Sequence, residues 1–414
     1  MELANLSLFL HAEKAYSTSH MGKKRLSRIA TGLVLLWAVM SGNLLHAQKQ
    51  WNIAVQGGVG TIVNSFDGYD EMLASYNYPV ADVRIAYQTT ENDHPYAALY
   101  GFPNVGFSFG WMGLSTLKYS GESHLGSVVN LSSFMEGDFL RTKMFSLGLD
   151  GQLGLGLSDV IHNPEINPLN TAVSSPLLIF ARIGLKAKFR FTERLEVGIG
   201  AHIEHCSTGY LSCPNRGLNG NGASLSLRYY NTPPPRFKKY QPESWTEVRR
   251  LFGEVYIGGG LHRSYTEWEV FGTSTPWPIL TAGGSINYRY FPNVSSGLNI
   301  DLYHTDQMYL QRVEEFERVL YGDEAVDEYG HYDAFSCGLS LLQQFHYGNF
   351  TAFGNFGIYL HKHSGLHDQE GLFYQRVGMK FNFPKLAGLF VAVDCKAHNF
   401  AHASMMEFTV GMRL

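Results

Sequence analysis

The feature that most limits how this chain can fold is a set of long stretches in which every second residue is apolar. From Leu195 to Ser207, the side chains Leu195, Val197, Ile199, Ala201, Ile203, His205 and Ser207 take one face. Glu196, Gly198, Gly200, His202, Glu204 and Cys206 take the other. The same beat runs through Phe145–Leu157 and Ile179–Phe191, where Arg182, Lys186, Lys188 and Arg190 sit in the polar register. A period of two is that of a β-strand. Runs of about a dozen residues exceed the usual five or six of a soluble strand and suit a strand that crosses a membrane at a tilt. Composition points the same way. Charged residues make up 16% of the chain, against about 25% in soluble domains, while Gly (44), Phe (27) and Tyr (24) are abundant.

Taken in order, strands are expected at Trp51–Val63, Asp82–Thr89, Phe102–Trp111 and Gly126–Phe134 before the regular runs begin. The last residues, Phe408, Val410, Met412 and Leu414, alternate like a closing strand. Short connections (Glu136–Lys143, Thr192–Arg194, Phe291–Ser296, Phe345–Asn349, Phe383–Ala387) alternate with long ones such as Ser158–Pro176, Thr208–Gly220 and Tyr303–Tyr332. That asymmetry is the pattern of outer-membrane barrels, with short periplasmic turns and long outer loops. The fold expected is all-β: one transmembrane antiparallel β-barrel of about 12–16 strands, with 16 the best count. Asn231–Arg250 breaks the rule, holding Pro233-Pro234-Pro235 and a short helix capped by Ser244 with Glu247. It reads as a periplasmic excursion or as a sign that the strand count is off.

Residues 1–47 read as a leader. Lys23, Lys24, Arg25 and Arg28 precede the apolar Ile29–Leu45, and Leu45-His46-Ala47 suits signal cleavage, with Met21 a candidate start. The alternative is a transmembrane anchor. Residues 48–414 then form the barrel, with no further domain boundary, exported to the outer membrane. Net charge is −4 with no long basic block, which argues against nucleic acid. Four cysteines (Cys206, Cys213, Cys337, Cys395) lack CxxC spacing, so no zinc site is expected. The acidic run Asp323, Glu324, Asp327, Glu328 reads as a solvated loop, with calcium binding as the alternative.

One strand ends in chemistry. His205 and Ser207 share the apolar face of their strand, with Cβ atoms about 6–7 Å apart. A serine hydroxyl attacks an ester when an imidazole takes its proton, a third group orients the imidazole, and donors hold the oxyanion. The following loop offers Asn215 and Asn219, and main-chain N–H groups around Gly209 and Gly217. A second His-x-Ser, His402-Ala-Ser404, has little chain after it to supply partners. Cys206 and Cys213 flank the site, and a disulfide between them is left open.

His205-Cys-Ser207-Thr208 followed by Pro214-Asn215-Arg-Gly217 resembles the signature of the PagL-type lipid A 3-O-deacylases, His-x-Ser-Asn and then Pro-Asn-x-Gly. The likeness covers roughly Leu185–Arg228. It implies an outer-membrane serine ester hydrolase acting on lipid A of the outer leaflet, with Ser207 the nucleophile, His205 the base and Asn215 near the oxyanion. Thr208 stands where that family has Asn, and Asn219 where its best-known members place an acidic partner for the histidine. An Asn at the spacing of Asn219 also resembles outer-membrane phospholipase A, which uses calcium at a dimer interface. No cofactor is expected on the deacylase reading, and calcium only on the phospholipase reading. A homodimer stays open, as does a non-catalytic, porin-like barrel.

Overall fold

The computed structural model describes residues 50–63, 77–90, 93, 96–117, 123–209, 211–234, 250–263, 265–272, 274–366, 371–398 and 402–414. The expected leader and the Ser244–Glu247 helix lie outside the described residues. Among the described residues sixteen strands form, but they close as two barrels of eight and not as one. The first comprises β1 (Trp51–Ile62), β2 (Asn77–Gln88), β3 (Asn104–Met112), β4 (Val128–Arg141), β5 (Phe145–Ser158), β6 (Leu177–Arg190), β7 (Leu195–Ser207) and β8 (Leu218–Tyr230). The second comprises β9 (Leu251–His262), β10 (Trp277–Phe291), β11 (Val294–Thr305), β12 (Phe335–Tyr347), β13 (Phe350–His361), β14 (Phe373–Phe383), β15 (Leu389–His398) and β16 (His402–Arg413).

The single barrel expected from the sequence is corrected by two closures. β8 turns back on β1, from Asn52 opposite Tyr230 to Ile62 opposite Gly220. β16 pairs with β9, from Met405 opposite His262 to Arg413 opposite Glu254. The segment that broke the loop rule, Asn231–Arg250, therefore joins two barrels. Its prolines suit that place, because Pro donates nothing to a ladder and cannot carry one strand into the next. Smaller corrections follow from the register. β4 runs on to Arg141, so its turn into β5 is tighter than expected. The acidic run is helical: α3 (Gln307–Tyr321) is followed by α4 (Asp323–Tyr329), after the short α1 (Tyr96–Leu99) and α2 (Tyr265–Phe271). Arg318 on α3 pairs with Asp323 and Asp327. Among the described residues no three His, Cys, Asp or Glu side chains gather to hold a metal.

The two faces of each strand do what the alternation says. On β7, Ile199 and Ile203 are 59% and 61% exposed, whereas Glu196, His202 and Glu204 are buried. An eight-stranded barrel has an interior just wide enough for side chains to fill, and here they are paired charges. In the first barrel Glu136 takes Arg228 (2.6 Å), Lys188 (2.8 Å) and Lys186 (3.2 Å). Arg182 spans Asp82 (2.7 Å) and Glu204 (2.6 Å). Breaking such a pair by removing one partner costs about 3–5 kcal/mol, so these networks fix the lumen. At the loop end the interior turns apolar. Leu114, Leu117, Leu125, Ala172 and Val173 from two loops pack onto Leu178, Phe180, Cys206 and Leu218. This plug lies directly behind the end of β7.

Candidate active site

The site is built by the β6–β7–β8 ladder. Its register sets Asn219 of β8 directly opposite His205 of β7, and Ala181 and Ile179 of β6 opposite His205 and Ser207. Fourteen residues separate His205 from Asn219 in sequence. They are neighbours because the chain leaves β7, crosses one loop and returns beside itself. The side chains meet: His205 Nδ1 lies 2.7 Å from Asn219 Oδ1. With the proton on Nδ1, the imidazole donates to the amide oxygen and its Nε2 lone pair is left for another partner.

Ser207 comes from the same face two residues on. The outer wall is open at Ile199 and Ile203 but covered at this end, where Ser207 is 4% exposed. Its Oγ accepts a long hydrogen bond of 3.4 Å from the Gly209 N–H. His205 and Ser207 make no hydrogen bond to one another in the described structure; such contacts are often long before substrate binds.

The loop is held by its own polar groups. Thr208 N–H donates to Asn215 Oδ1 at 2.8 Å, and the Thr208 hydroxyl donates to the Ser212 carbonyl at 3.0 Å. Thr208 thus positions the loop and has no free donor of its own. Asn215 is buried, and among the described residues its Nδ2 has no hydrogen-bond partner. An orphaned buried amide is costly unless something completes it, so Asn215 Nδ2 is a donor in waiting.

The two glycines serve close approach. Gly217 has φ +70°, and a Cβ there would lie 3.1 Å from His205 Cε1 and 3.4 Å from Ser207 Cβ. Its N–H is taken by the Ala172 carbonyl at 3.1 Å, which corrects the expectation that Gly217 leaves that N–H available. Gly209 has φ +62°, and a Cβ there would meet Ile179 Cδ1 at 2.7 Å and Met406 Cγ at 2.9 Å.

All seven sequence-picked residues fall within this one corner. Ala172, Thr171 and Ile179, which pin or line it, carried no signal, since nothing in the sequence says which loop packs on which. The cysteines are free. Cys206 points into the plug, with Sγ 3.8 Å from Met112 Sδ. In the rival His402-Ala-Ser404, the Ser404 hydroxyl is taken by the Lys396 carbonyl at 3.4 Å.

Residues 252–414, nearly all of the second barrel, match the family model described as acyloxyacyl hydrolase, C-terminal domain. The match falls on the barrel that lacks the β7 site, so the family likeness and the His205–Ser207 corner stand on different barrels. Among solved structures, the outer-membrane enzyme PagL is similar at 14% identity, covering 42% of this chain and 97% of its own, with a TM-score of 0.29. Neisserial surface protein A is similar at 10% identity, covering 43% and 96%, with a TM-score of 0.28. A mutant porin of Rh. blastica is similar at 10% identity, covering 88% and 99%, with a TM-score of 0.17. No curated protein matches the sequence.

Proposed function

We propose that the protein is an outer-membrane ester hydrolase that removes an acyl chain from the 3-position of lipid A. His205 Nε2 takes the proton of Ser207 Oγ, and Oγ attacks the ester carbonyl. Asn219 holds the imidazole in the required tautomer, and Asn215 Nδ2 donates to the oxygen that becomes negative. The intermediate collapses with loss of the sugar hydroxyl, which receives its proton from His205. Water activated by the same imidazole then frees the acyl group from Ser207. Asn219 orients the imidazolium but cannot neutralise it, so the rate should sit below that of an enzyme with a carboxylate there. The apolar outer wall below the site supplies a place for acyl chains, and lipopolysaccharide is the substrate carrier on this reading.

The observation that carries the reading is the pairing of His205 with Asn219 across the ladder, beside an outward serine and an orphaned amide. Mass spectrometry of lipid A from outer membranes tests it. Cells making the protein should show lipid A lighter by one 3-linked hydroxyacyl chain. Cells making Ser207→Ala should not, although the variant still migrates as a folded barrel. Unaltered lipid A with the wild-type chain present would discard the reading.

A further inference from the structure

We propose that the turn end of the second barrel is a binding site for a phosphate group. Arg289 on β10 and Arg413 on β16 stand over the same ring, Phe252 of β9, at 5.3 and 4.5 Å from its centroid. Together with His346, Thr351 and Asn382 they line a cavity of about 390 Å³.

The two guanidiniums are not equally provided for. Arg413 shares Glu254 with Lys380, at 2.9 and 2.5 Å. Arg289 is 8% exposed, and among the described residues its guanidinium has no carboxylate at ion-pairing distance and no side-chain hydrogen bond; its Nε is buried and unpartnered. Among the described side chains, Arg289, Arg413 and Lys380 gather at this end of the lumen around one side-chain carboxylate, Glu254, which Arg413 and Lys380 already share. The first barrel shows the usual alternative, where Arg228, Lys186 and Lys188 all meet Glu136.

Two guanidiniums held on one ring repel each other, and a buried cation without a partner is costly. An anion between them removes both penalties. A phosphate group suits the arrangement, because its several oxygens can take both planar forks at once. The Asn382 amide, 3.1 Å from Thr351 Oγ1, adds polar lining on the same wall. The headgroup of a phospholipid and a free phosphate share this chemistry. The site is independent of the hydrolase reading, since none of its residues belongs to the His205–Ser207 corner.

The test uses the full chain in neutral detergent. Inorganic phosphate is titrated calorimetrically at constant ionic strength, and phosphatidylglycerol adducts are scored by native mass spectrometry. Wild type should bind one phosphate, and Arg289→Gln should bind at least tenfold more weakly. Should only phosphatidylglycerol be retained, and lost in Arg289→Gln, the source is a lipid headgroup. Ser207→Ala should bind like wild type. If Arg289→Gln fails to fold, Arg289→Lys, which keeps the charge but not the fork, must still weaken binding severalfold. No binding of either probe to wild type, or equal binding by the Arg289 variants, overturns the proposal.

Discussion

Gly217→Ala probes the closest packing in the proposed site. Two effects act together. The residue sits at φ +70°, where an L side chain costs about 1–2 kcal/mol. The new methyl would also lie 3.1 Å from His205 Cε1 and 3.3 Å from the Cys206 carbonyl oxygen. Carbon atoms normally rest about 3.5–4.0 Å apart, so the imidazole must retreat by roughly 0.5 Å. A misplacement of about 1 Å in a reacting group costs on the order of a hundredfold in rate, so half of that should lower kcat roughly tenfold. KM should change little, because nothing that grips the acyl chains has moved. Initial rates of hydroxyacyl release from lipid A in mixed micelles separate the two constants, and heat-modifiable migration reports folding. Gly151→Ala is the control, since a Cβ there meets nothing within 4 Å. A folded Gly217→Ala with the kcat of wild type would refute the placement of His205 in the reaction.

Asn219→Asp keeps the shape and adds the missing charge. Opposite charges about 4 Å apart attract by about 4 kcal/mol at an effective dielectric constant of about 20, and the cost of burying the carboxylate offsets most of this. A severalfold rise in lipid A turnover, insensitive to EDTA, is therefore expected; loss of activity, with strict calcium dependence on phospholipid, would favour the phospholipase instead. Burial pushes the Cys213 thiol up to about 11. Raising a thiol pKa removes thiolate at any pH below it, so at pH 8 only about one thiol in a thousand is reactive. Alkylation of Cys213 at pH 8 should run about a hundredfold slower than for a thiol of pKa about 9, a difference read by mass spectrometry of the alkylated peptide. Residues 50–234 and 250–414, made separately, should each refold as a heat-modifiable barrel, with ester hydrolysis only in the first; activity in the second alone would move the site to the other barrel.

What the sequence determined by itself is local. Alternation over a dozen residues decides which side chains face the lumen and which face outward, because strand geometry allows only two faces. It assigned Glu204 and Cys206 to the interior and Ile199 and Ile203 to the wall, and it put the ends of β7 at Leu195 and Ser207. It also brought His205 and Ser207 onto one face from their spacing alone. What only the tertiary structure decided is which strand pairs with which. A strand's alternation is the same whether its partner is the next strand or one seven strands back, so sixteen strands in one ring and two rings of eight read alike in sequence. The closure of β8 on β1 depends on contacts between residues some 160–180 apart, from Ile62–Gly220 to Asn52–Tyr230, and no short-range pattern encodes them. The same holds for Ala172 on Gly217 and for the orphaned Asn215 amide. They follow from how loops fold over the barrel mouth, where side chains of many segments compete for the same space.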